Sequence, residues 1–160
     1  MGLFQMKIDE TDRRVLALLQ ENAALSVAEI GTRVGLSSTP CWRRIQILEK
    51  QGVIRKKVAL LDRRAVDVPL TVFVMIRTSQ HNDVWLERFA KGVSEIPEVL
   101  EFYRMSGTVD YLLRVVVPTV EAYDAVYKRL ISIADLAEVS SSFAMEEIKY
   151  TTALPLGYAG

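Results

Sequence analysis

Side chains able to bind a polyanion recur at helical spacing between residues 38 and 50. Hydroxyl groups, an indole, an amide and cationic groups share one face of a predicted helix, on Ser38, Thr39, Trp42, Arg43, Gln46 and Lys50. Such groups can read base edges or grip phosphates in DNA. Arg44 and the run Arg55, Lys56 and Lys57 complete the predicted DNA contacts, and the lysines of the run are expected at phosphates. Trp42 either stacks against the DNA backbone or covers a helix junction.

The charge of the chain is divided between its two halves. Residues 1 to 64 carry 12 Lys and Arg against 7 Asp and Glu, and residues 65 to 160 carry 8 against 13. Between residues 33 and 64, the cationic residues face only Glu49 and Asp62. A polyanion is the natural partner of such a surface, although charge alone fits an ordinary solvated face equally well. The division indicates two modules with two functions.

Capping signals place the polar face on the third of three short helices. Asp9 and Asp12 offer an N-cap and a first-turn acid to a first helix that ends near Asn22. Ser26 and Glu29 match a capping box, which predicts the start of a second helix.

A short turn joins the second helix to the third. Gly35 can adopt the left-handed conformation that ends a helix, and Ser37 is predicted to cap the next helix. Cys41 falls on the inward face of that helix, which predicts a core residue rather than a reactive thiol. The β-prone residues 53 to 61 would form a small wing. Residues 1–62 are therefore predicted to be a winged helix-turn-helix DNA-binding domain.

Strand-like and helical segments alternate in the second half, after a linker at residues 63–69. The predicted strands are residues 70–77, 99–105, 111–117 and 139–150, and the predicted helices are residues 82–94 and 120–133. This βαββαβ order predicts an α+β, ferredoxin-like sandwich domain over residues 70–160, with both helices on one face of an antiparallel sheet. The uncovered sheet face predicts a homodimer through this domain.

Two groups of small polar residues are candidates for a small-molecule site. The turn before the third strand contains Ser106, Gly107, Thr108 and Asp110, and the last strand contains Ser140, Ser141 and Ser142. Exposed amides, hydroxyls and a carboxylate could hold the charged ends of an amino acid. A turn with Gly and Asp is most often a hairpin connection, and serines on a strand usually face solvent, so the residues alone leave both interpretations open.

Composition argues against several other classes of protein. No apolar run approaches the roughly 20 residues that a membrane span needs, and residues 1 to 9 lack the features of a secretion signal. The sequence therefore predicts a cytoplasmic protein. With one cysteine and one histidine there is no Cys/His cluster, so neither a metal nor a cofactor is expected.

A set of short stretches in this chain is shared by few protein families. They are Ile8-Asp9-Glu10-Thr11-Asp12, Val34-Gly35-Leu36-Ser37, Thr39-Pro40-Cys41, Arg44-Ile45, Leu48-Glu49, Gly52-Val53-Ile54, Ser106-Gly107, Asp110-Tyr111-Leu112-Leu113, Glu147-Ile148-Lys149 and Leu154-Pro155-Leu156. Over nearly its whole length the chain resembles the Lrp/AsnC family of transcription regulators, the feast/famine proteins. One departure is Asp-Leu-Ala-Glu at residues 135 to 138, where many members carry Pro-Gly.

The resemblance implies a winged helix-turn-helix followed by a ligand-sensing domain that dimerises by its sheets and often assembles into octamers. It also implies an effector amino acid bound between dimers, near the turn and the serines described above. The expected function is a sequence-specific DNA-binding transcription regulator whose assembly or DNA affinity changes with a small effector.

Two other functions remain open from the sequence. Sirohaem decarboxylases resemble the same two-domain architecture, but they depend on active-site histidines, and this chain has only His81, expected to be solvated in a polar loop. We therefore expect no enzyme activity. An architectural protein that coats DNA with little sequence preference is the second alternative, and the sequence does not separate it from a regulator.

Overall fold

The computed structural model describes residues 7–80 and 82–159, which form two compact units. One unit contains the residues up to Leu60 together with those from Lys149 onward, and the other runs from Leu61 to Ile148. This division differs from the predicted boundaries at the end of the chain. The last residues group with the helices because the backbone of Leu154 exchanges two hydrogen bonds, of 2.7 and 3.1 Å, with the side-chain amide of Gln20.

The predicted linker, residues 63–69, belongs to the second unit rather than lying between two domains. The Arg63 guanidinium pairs with the Glu147 carboxylate at 3.2 Å and donates a hydrogen bond to the Thr71 hydroxyl. These contacts hold the segment against the start and the end of the second unit's own chain.

Three helices build the first unit: α1 (Glu10–Glu21), α2 (Val27–Val34) and α3 (Ser38–Lys50). A short 3-10 helix, Leu156–Tyr158, brings Leu156 against their shared core. The buried members of this core are Val15, Leu16, Leu19, Ile30, Val34, Cys41, Ile45 and Leu48. Cys41 is buried, which confirms the prediction that it is a core residue. Burial also raises the pKa of its thiol.

The capping predictions are confirmed for α1 and α2. The Asp9 carboxylate accepts the Asp12 N–H at 2.7 Å, and the Ser26 hydroxyl accepts the Glu29 N–H at 3.2 Å, each within a capping box. Each acid in turn accepts a hydrogen bond from the backbone N–H of its N-cap residue. Both helix starts are therefore fixed by local sequence.

The cap of α3 differs from the prediction. Ser37 occupies the N-cap position, but its side chain makes no capping hydrogen bond. The residue three positions later is Pro40, which has no N–H to donate to a capping hydroxyl.

Two glycines shape the turn between α2 and α3. Gly35 ends α2 in the left-handed region at φ 77°, as predicted. Gly31 was not predicted to matter, yet a Cβ at this position would lie 2.7 Å from the carbonyl oxygen of Leu36. The Leu36 N–H also donates to the Gly31 carbonyl at 2.8 Å. The close approach of the turn to α2 therefore requires glycine at position 31, and the left-handed backbone favours glycine at position 35.

The segment after α3 is not the predicted wing strand. Residues 53–61 contain no β-strand, and the described part of the first unit contains no strand with which they could pair. A strand requires a neighbour that shares its backbone hydrogen bonds. The Ile54 N–H instead donates to the Leu48 carbonyl at 3.1 Å, which anchors the segment to the end of α3.

The second unit has the predicted βαββαβ order. Its elements are β1 (Leu70–Arg77), α4 (Asp83–Ser94), β2 (Val99–Arg104), β3 (Tyr111–Val117), α5 (Val120–Ile133) and β4 (Glu138–Phe143). The strands form one antiparallel sheet in the order β2-β3-β1-β4, which confirms the ferredoxin-like α+β fold. The last strand is shorter than the predicted residues 139–150: its register with β1 ends at Phe143, which lies opposite Val72, and the Ala144 N–H donates to the Thr71 carbonyl near the start of β1.

The sheet has one face covered by helices and one open face. Val72, Val74 and Ile76 of β1 are fully buried in a core with residues of α4 and α5. The alternate residues Phe73 and Met75 lie on the opposite face, where Phe73 is 38% exposed. The predicted bare face therefore exists in this chain.

Among the helices that the structure describes, none is long and apolar enough to cross a membrane. Within the same residues, no group of three or more His, Cys, Asp and Glu side chains is arranged to hold a metal ion. The candidate histidine, His81, lies outside the described residues.

Candidate DNA-binding and effector sites

The third helix separates a core face from a polar face. Cys41, Ile45 and Leu48 are buried in the first unit. The residues predicted to face outward are all exposed, and we call them the recognition face: Ser38, Thr39, Trp42, Arg43, Gln46 and Lys50. Trp42 is 52% exposed, so its ring does not fill a helix junction. The structure thus brings six predicted contacts together on one exposed face of α3.

The basic run after α3 is exposed and partly neutralised. Arg55, Lys56 and Lys57 all face solvent. The Lys57 ammonium lies 2.9 Å from the Glu49 carboxylate, and the other oxygen of Glu49 accepts a hydrogen bond from the Gln46 amide at 3.0 Å. Arg55 and Lys56 are therefore the stronger candidates for phosphate contacts.

Arg44 differs from the other predicted DNA contacts because its guanidinium faces α1. One nitrogen, Nη1, lies 2.7 Å from Asp9 Oδ2 and 2.7 Å from Asp12 Oδ1. The Asp12 N–H and then the Arg44 guanidinium hold the pKa of Asp9 below its usual value, and the two carboxylates raise the pKa of Arg44. The side chain of Asp12 is only 3% exposed, so this is a partly buried ion pair.

The turn between β2 and β3 exposes the predicted effector residues Ser106, Gly107 and Thr108. Gly107 has φ 124°, a conformation that L side chains rarely adopt. Asp110 has a structural role as well, because its Oδ2 accepts the Thr78 N–H at 2.8 Å. Its backbone N–H also donates to the Ile76 carbonyl at 2.9 Å. Asp110 therefore ties the turn to the end of β1.

The three serines of β4 do not form a single cluster. Ser141 lies opposite Val74 on the helix-covered face, where its hydroxyl shares a short hydrogen bond with Tyr123 of α5. Ser140 and Ser142 lie opposite Met75 and Phe73, on the open face. The alternation of side chains along a strand separates them.

The turn and β4 lie on opposite sides of β1. Ile76 pairs with Tyr111 on one side and with Val139 on the other. Neighbouring strands are about 4.8 Å apart, so Asp110 and Ser140 are separated by roughly 10 Å across β1. A ligand that touches both groups would have to span the end of β1 next to the Arg77–Glu138 ion pair, whose atoms are 3.2 Å apart.

An ion-pair network on the open face was missed by the sequence analysis. The Arg114 guanidinium lies 2.5 Å from the Glu101 carboxylate, which also accepts the Tyr103 hydroxyl at 3.1 Å. Arg114 lowers the pKa of Glu101. The signal was a single charge inside the apolar strand Tyr111–Val117, at a position that alternation assigns to the open face.

The fold and the recognition face together define a two-domain DNA-binding regulator. A family model described as winged helix-turn-helix DNA-binding matches residues 8–55, and one described as the Lrp/AsnC ligand binding domain matches residues 71–154. The chain belongs to the Lrp/AsnC family of transcription regulators.

Similar proteins cover almost the whole chain. The DNA-binding transcriptional activator DecR of Escherichia coli K12 is 49% identical over 150 residues, which are 93% of this chain and 99% of DecR. An AsnC family regulator from Agrobacterium tumefaciens has 61% identity and a TM-score of 0.91, over 94% of this chain and 98% of that one. A Neisseria meningitidis regulator solved as a complex with L-methionine has 38% identity and a TM-score of 0.88, over 93% of this chain and 97% of that one.

Proposed function

We propose that the recognition face of α3 reads base edges, so that this protein regulates transcription from specific DNA sites. The observation that carries the proposal is the division of α3 into a buried apolar face and an exposed polar one. A helix fits the major groove, where each base pair presents a distinct pattern of donors and acceptors. Arg43 is the strongest base-reading candidate, since guanidinium pairs with guanine in two hydrogen bonds.

The basic run supplies phosphate contacts in this proposal. Arg55 and Lys56 are exposed just after α3, and Lys57 adds a charge that Glu49 partly offsets. Phosphate contacts position a protein on the duplex without carrying sequence information. The charge excess of the first 64 residues supports this division of labour.

The open sheet face is our candidate for a homodimer contact. Two rows of cross-strand neighbours line it: Ser142, Phe73, Arg114 and Glu101, and Ser140, Met75, Leu112 and Tyr103. Phe73 and Tyr103 are large and exposed there, at 38% and 50%. A two-fold dimer would hold two α3 helices at a fixed separation on DNA, and dimers would assemble further into an octamer.

A small effector, an amino acid, is proposed to bind near the turn and β4. The Neisseria meningitidis relative, described as a complex with L-methionine, supports this class of ligand. Ser106, Gly107 and Thr108 offer exposed amides and hydroxyls, and Ser140 adds a hydroxyl on the open face. The Thr78 N–H already donates to Oδ2 of Asp110, which leaves Oδ1 as the freer acceptor for a ligand.

Coupling between effector and DNA requires an element with two states. We place this element at the contact between dimers, because a ligand bound there would favour one assembly over another and shift its population. The DNA affinity of the assembly would change with that population.

Two alternatives make different predictions. A DNA-coating protein would bind unrelated duplexes with similar affinity. An enzyme of the sirohaem decarboxylase kind would have to use His81, the only histidine of the chain. The recognition face favours a regulator that acts on DNA in the cytoplasm over both.

The test is fluorescence anisotropy of the protein on the DNA upstream of its own gene and on a scrambled duplex, at one salt concentration, with and without the twenty amino acids. We expect tighter binding to the upstream duplex and a shift on addition of the mixture. Equal binding to both duplexes would support the coating protein, and selectivity without a shift would remove the effector.

A further inference from the structure

The Asp12–Arg44 pair joins α1 to the recognition helix next to its main reading residue. Arg44 follows Arg43 directly in sequence, but the two side chains diverge: Arg43 is exposed, while Arg44 is 33% exposed and turned towards α1. Both carboxylates lie 2.7 Å from Arg44, but Asp12 is the buried partner, since its side chain is 3% exposed and that of Asp9 is 50% exposed.

Both oxygens of the buried Asp12 carboxylate accept a hydrogen bond. Asp12 Oδ1 accepts the Arg44 guanidinium, and Asp12 Oδ2 accepts the Asp9 N–H at 3.2 Å. A buried charge that loses its partner is strongly unfavourable, so this geometry strongly constrains where Arg44 can lie. The position of α3 is then tied to the first turn of α1.

A second arginine of α1, Arg14, contacts the end of α2, which precedes the turn to α3. Arg14 Nη2 donates to the carbonyl of Arg33 at 2.9 Å, at the C-terminal end of α2. α1 therefore holds both the end of α2 and the recognition helix. Hydrogen bonds to base edges tolerate small displacements only, of roughly 0.5 Å and 10–20°.

We propose that Arg44 is a positioning residue, which sets the angle and depth of α3 in the groove through Asp12 and does not itself contact DNA. It thereby controls the choice of sequence rather than the general affinity for DNA. This inference rests on the proposed role of the recognition face and replaces the prediction that Arg44 binds DNA.

Three roles for Arg44 give three different results in the binding assay. A phosphate contact would weaken all duplexes alike and flatten the salt dependence by about one phosphate equivalent. A purely structural role would lower thermal stability and leave the selectivity of the folded protein unchanged. A positioning role lowers the ratio of specific to scrambled affinity at constant salt dependence.

The experiment compares Arg44→Gln, Asp12→Asn and the double variant with the unchanged protein. Dissociation constants are measured on the upstream and scrambled duplexes over a salt series, at a temperature where thermal melting shows each variant to be folded. We expect each single variant to lose selectivity by roughly tenfold, the scale of one base contact, and to keep the salt slope on the scrambled duplex. Because the two residues act as one unit, the double variant should lose no more than the worse single variant.

Matched controls separate the pair from its neighbours. Arg43→Ala should lower selectivity through direct loss of a base contact and show no coupling to Asp12→Asn. Arg88→Gln, at an exposed arginine of α4, should leave both affinities unchanged. If Arg44→Gln does not fold, Arg44→Lys and Asp9→Asn replace it, because each keeps part of the ion-pair network. We expect both to lower selectivity as well.

A flattened salt slope with equal losses on both duplexes would overturn the proposal in favour of a phosphate contact. Unchanged selectivity in folded variants would overturn it in favour of a structural role. A protein that shows no selectivity before any substitution would refute the base-reading function itself, which distinguishes that failure from the failure of this inference.

Discussion

The helical unit leaves the candidate contacts on its recognition face exposed to solvent, whereas the sheet unit engages several of its candidates in internal hydrogen bonds. All six residues of the recognition face are exposed. In the sheet unit, Asp110 binds the Thr78 N–H and Ser141 binds Tyr123. The proposed DNA-reading surface is therefore complete on one chain, whereas the proposed effector site has few uncommitted polar groups on one chain. That difference is consistent with an effector site completed by a second copy.

The largest expected effect is the destabilisation of one unit while the stability of the other is unchanged. Leu48→Ala removes a fully buried side chain from the helical core and should destabilise that unit by about 2 to 5 kcal/mol. Leu113→Ala is the matched change in the sheet core. Hydrogen exchange should show loss of protection in the helices for Leu48→Ala and in the strands for Leu113→Ala. Loss of protection in both units from either change would contradict two independent cores.

Within the helical unit, base-reading and phosphate-binding residues should separate. Arg43→Ala should weaken binding to the upstream duplex by about 1 to 3 kcal/mol and relax base preference. Lys56→Ala should weaken binding to all duplexes alike. It should also reduce the slope of the logarithm of affinity against the logarithm of salt concentration by about one. Anisotropy over a salt series measures both quantities. Equal effects of the two substitutions would refute the division.

In the sheet unit, the structural and ligand roles of Asp110 should separate. Asp110→Ala leaves the Thr78 N–H without its acceptor, which should cost about 1 to 3 kcal/mol, and should abolish the effector response while DNA binding persists. Asp110→Asn keeps an acceptor for Thr78 and loses the negative charge. We expect it to retain stability in urea unfolding and still lose the response. A full response from both variants would place the effector elsewhere.

The smallest expected effect concerns the end of the chain. Gln20→Ala removes the two hydrogen bonds to Leu154, which are exposed, and should lower the stability of the helical unit by about 1 kcal/mol. The urea midpoint of the helices should fall while that of the sheet stays constant. Gln51→Ala, at an exposed glutamine of the same unit, is the control. A fall in the sheet midpoint would assign the last residues to the other unit.

Periodicity predicted most of the fold because it reflects local geometry. The observed bounds of β1, β3 and α5 are the predicted ones. The Asp9 N-cap and the Ser26–Glu29 capping box occur where the sequence placed them. The hydrophobic pattern also separated Cys41, Ile45 and Leu48 from the recognition face. These features depend on residues within a few positions of one another.

The errors arose where distant or neighbouring groups intervene. The Ser37 cap fails because Pro40 lacks an N–H, and the expected wing has no strand beside it. For Arg44, which was predicted to contact DNA, the sequence did not reveal the pairing with Asp12, which lies 32 positions away. Spacing along one helix cannot reveal a carboxylate on another.

The most direct test measures DNA selectivity and amino-acid response together for Arg43→Ala and Asp110→Asn. Anisotropy is recorded on the upstream and scrambled duplexes, with and without the amino-acid mixture. We predict that Arg43→Ala loses selectivity and that its assembly, followed by light scattering, still changes with the mixture, while Asp110→Asn keeps selectivity and loses the change. The assignment of DNA reading to α3 and effector sensing to the sheet unit would be wrong if either variant lost both selectivity and the amino-acid response. It would also be wrong if Arg43→Ala lost only the response and Asp110→Asn lost only the selectivity.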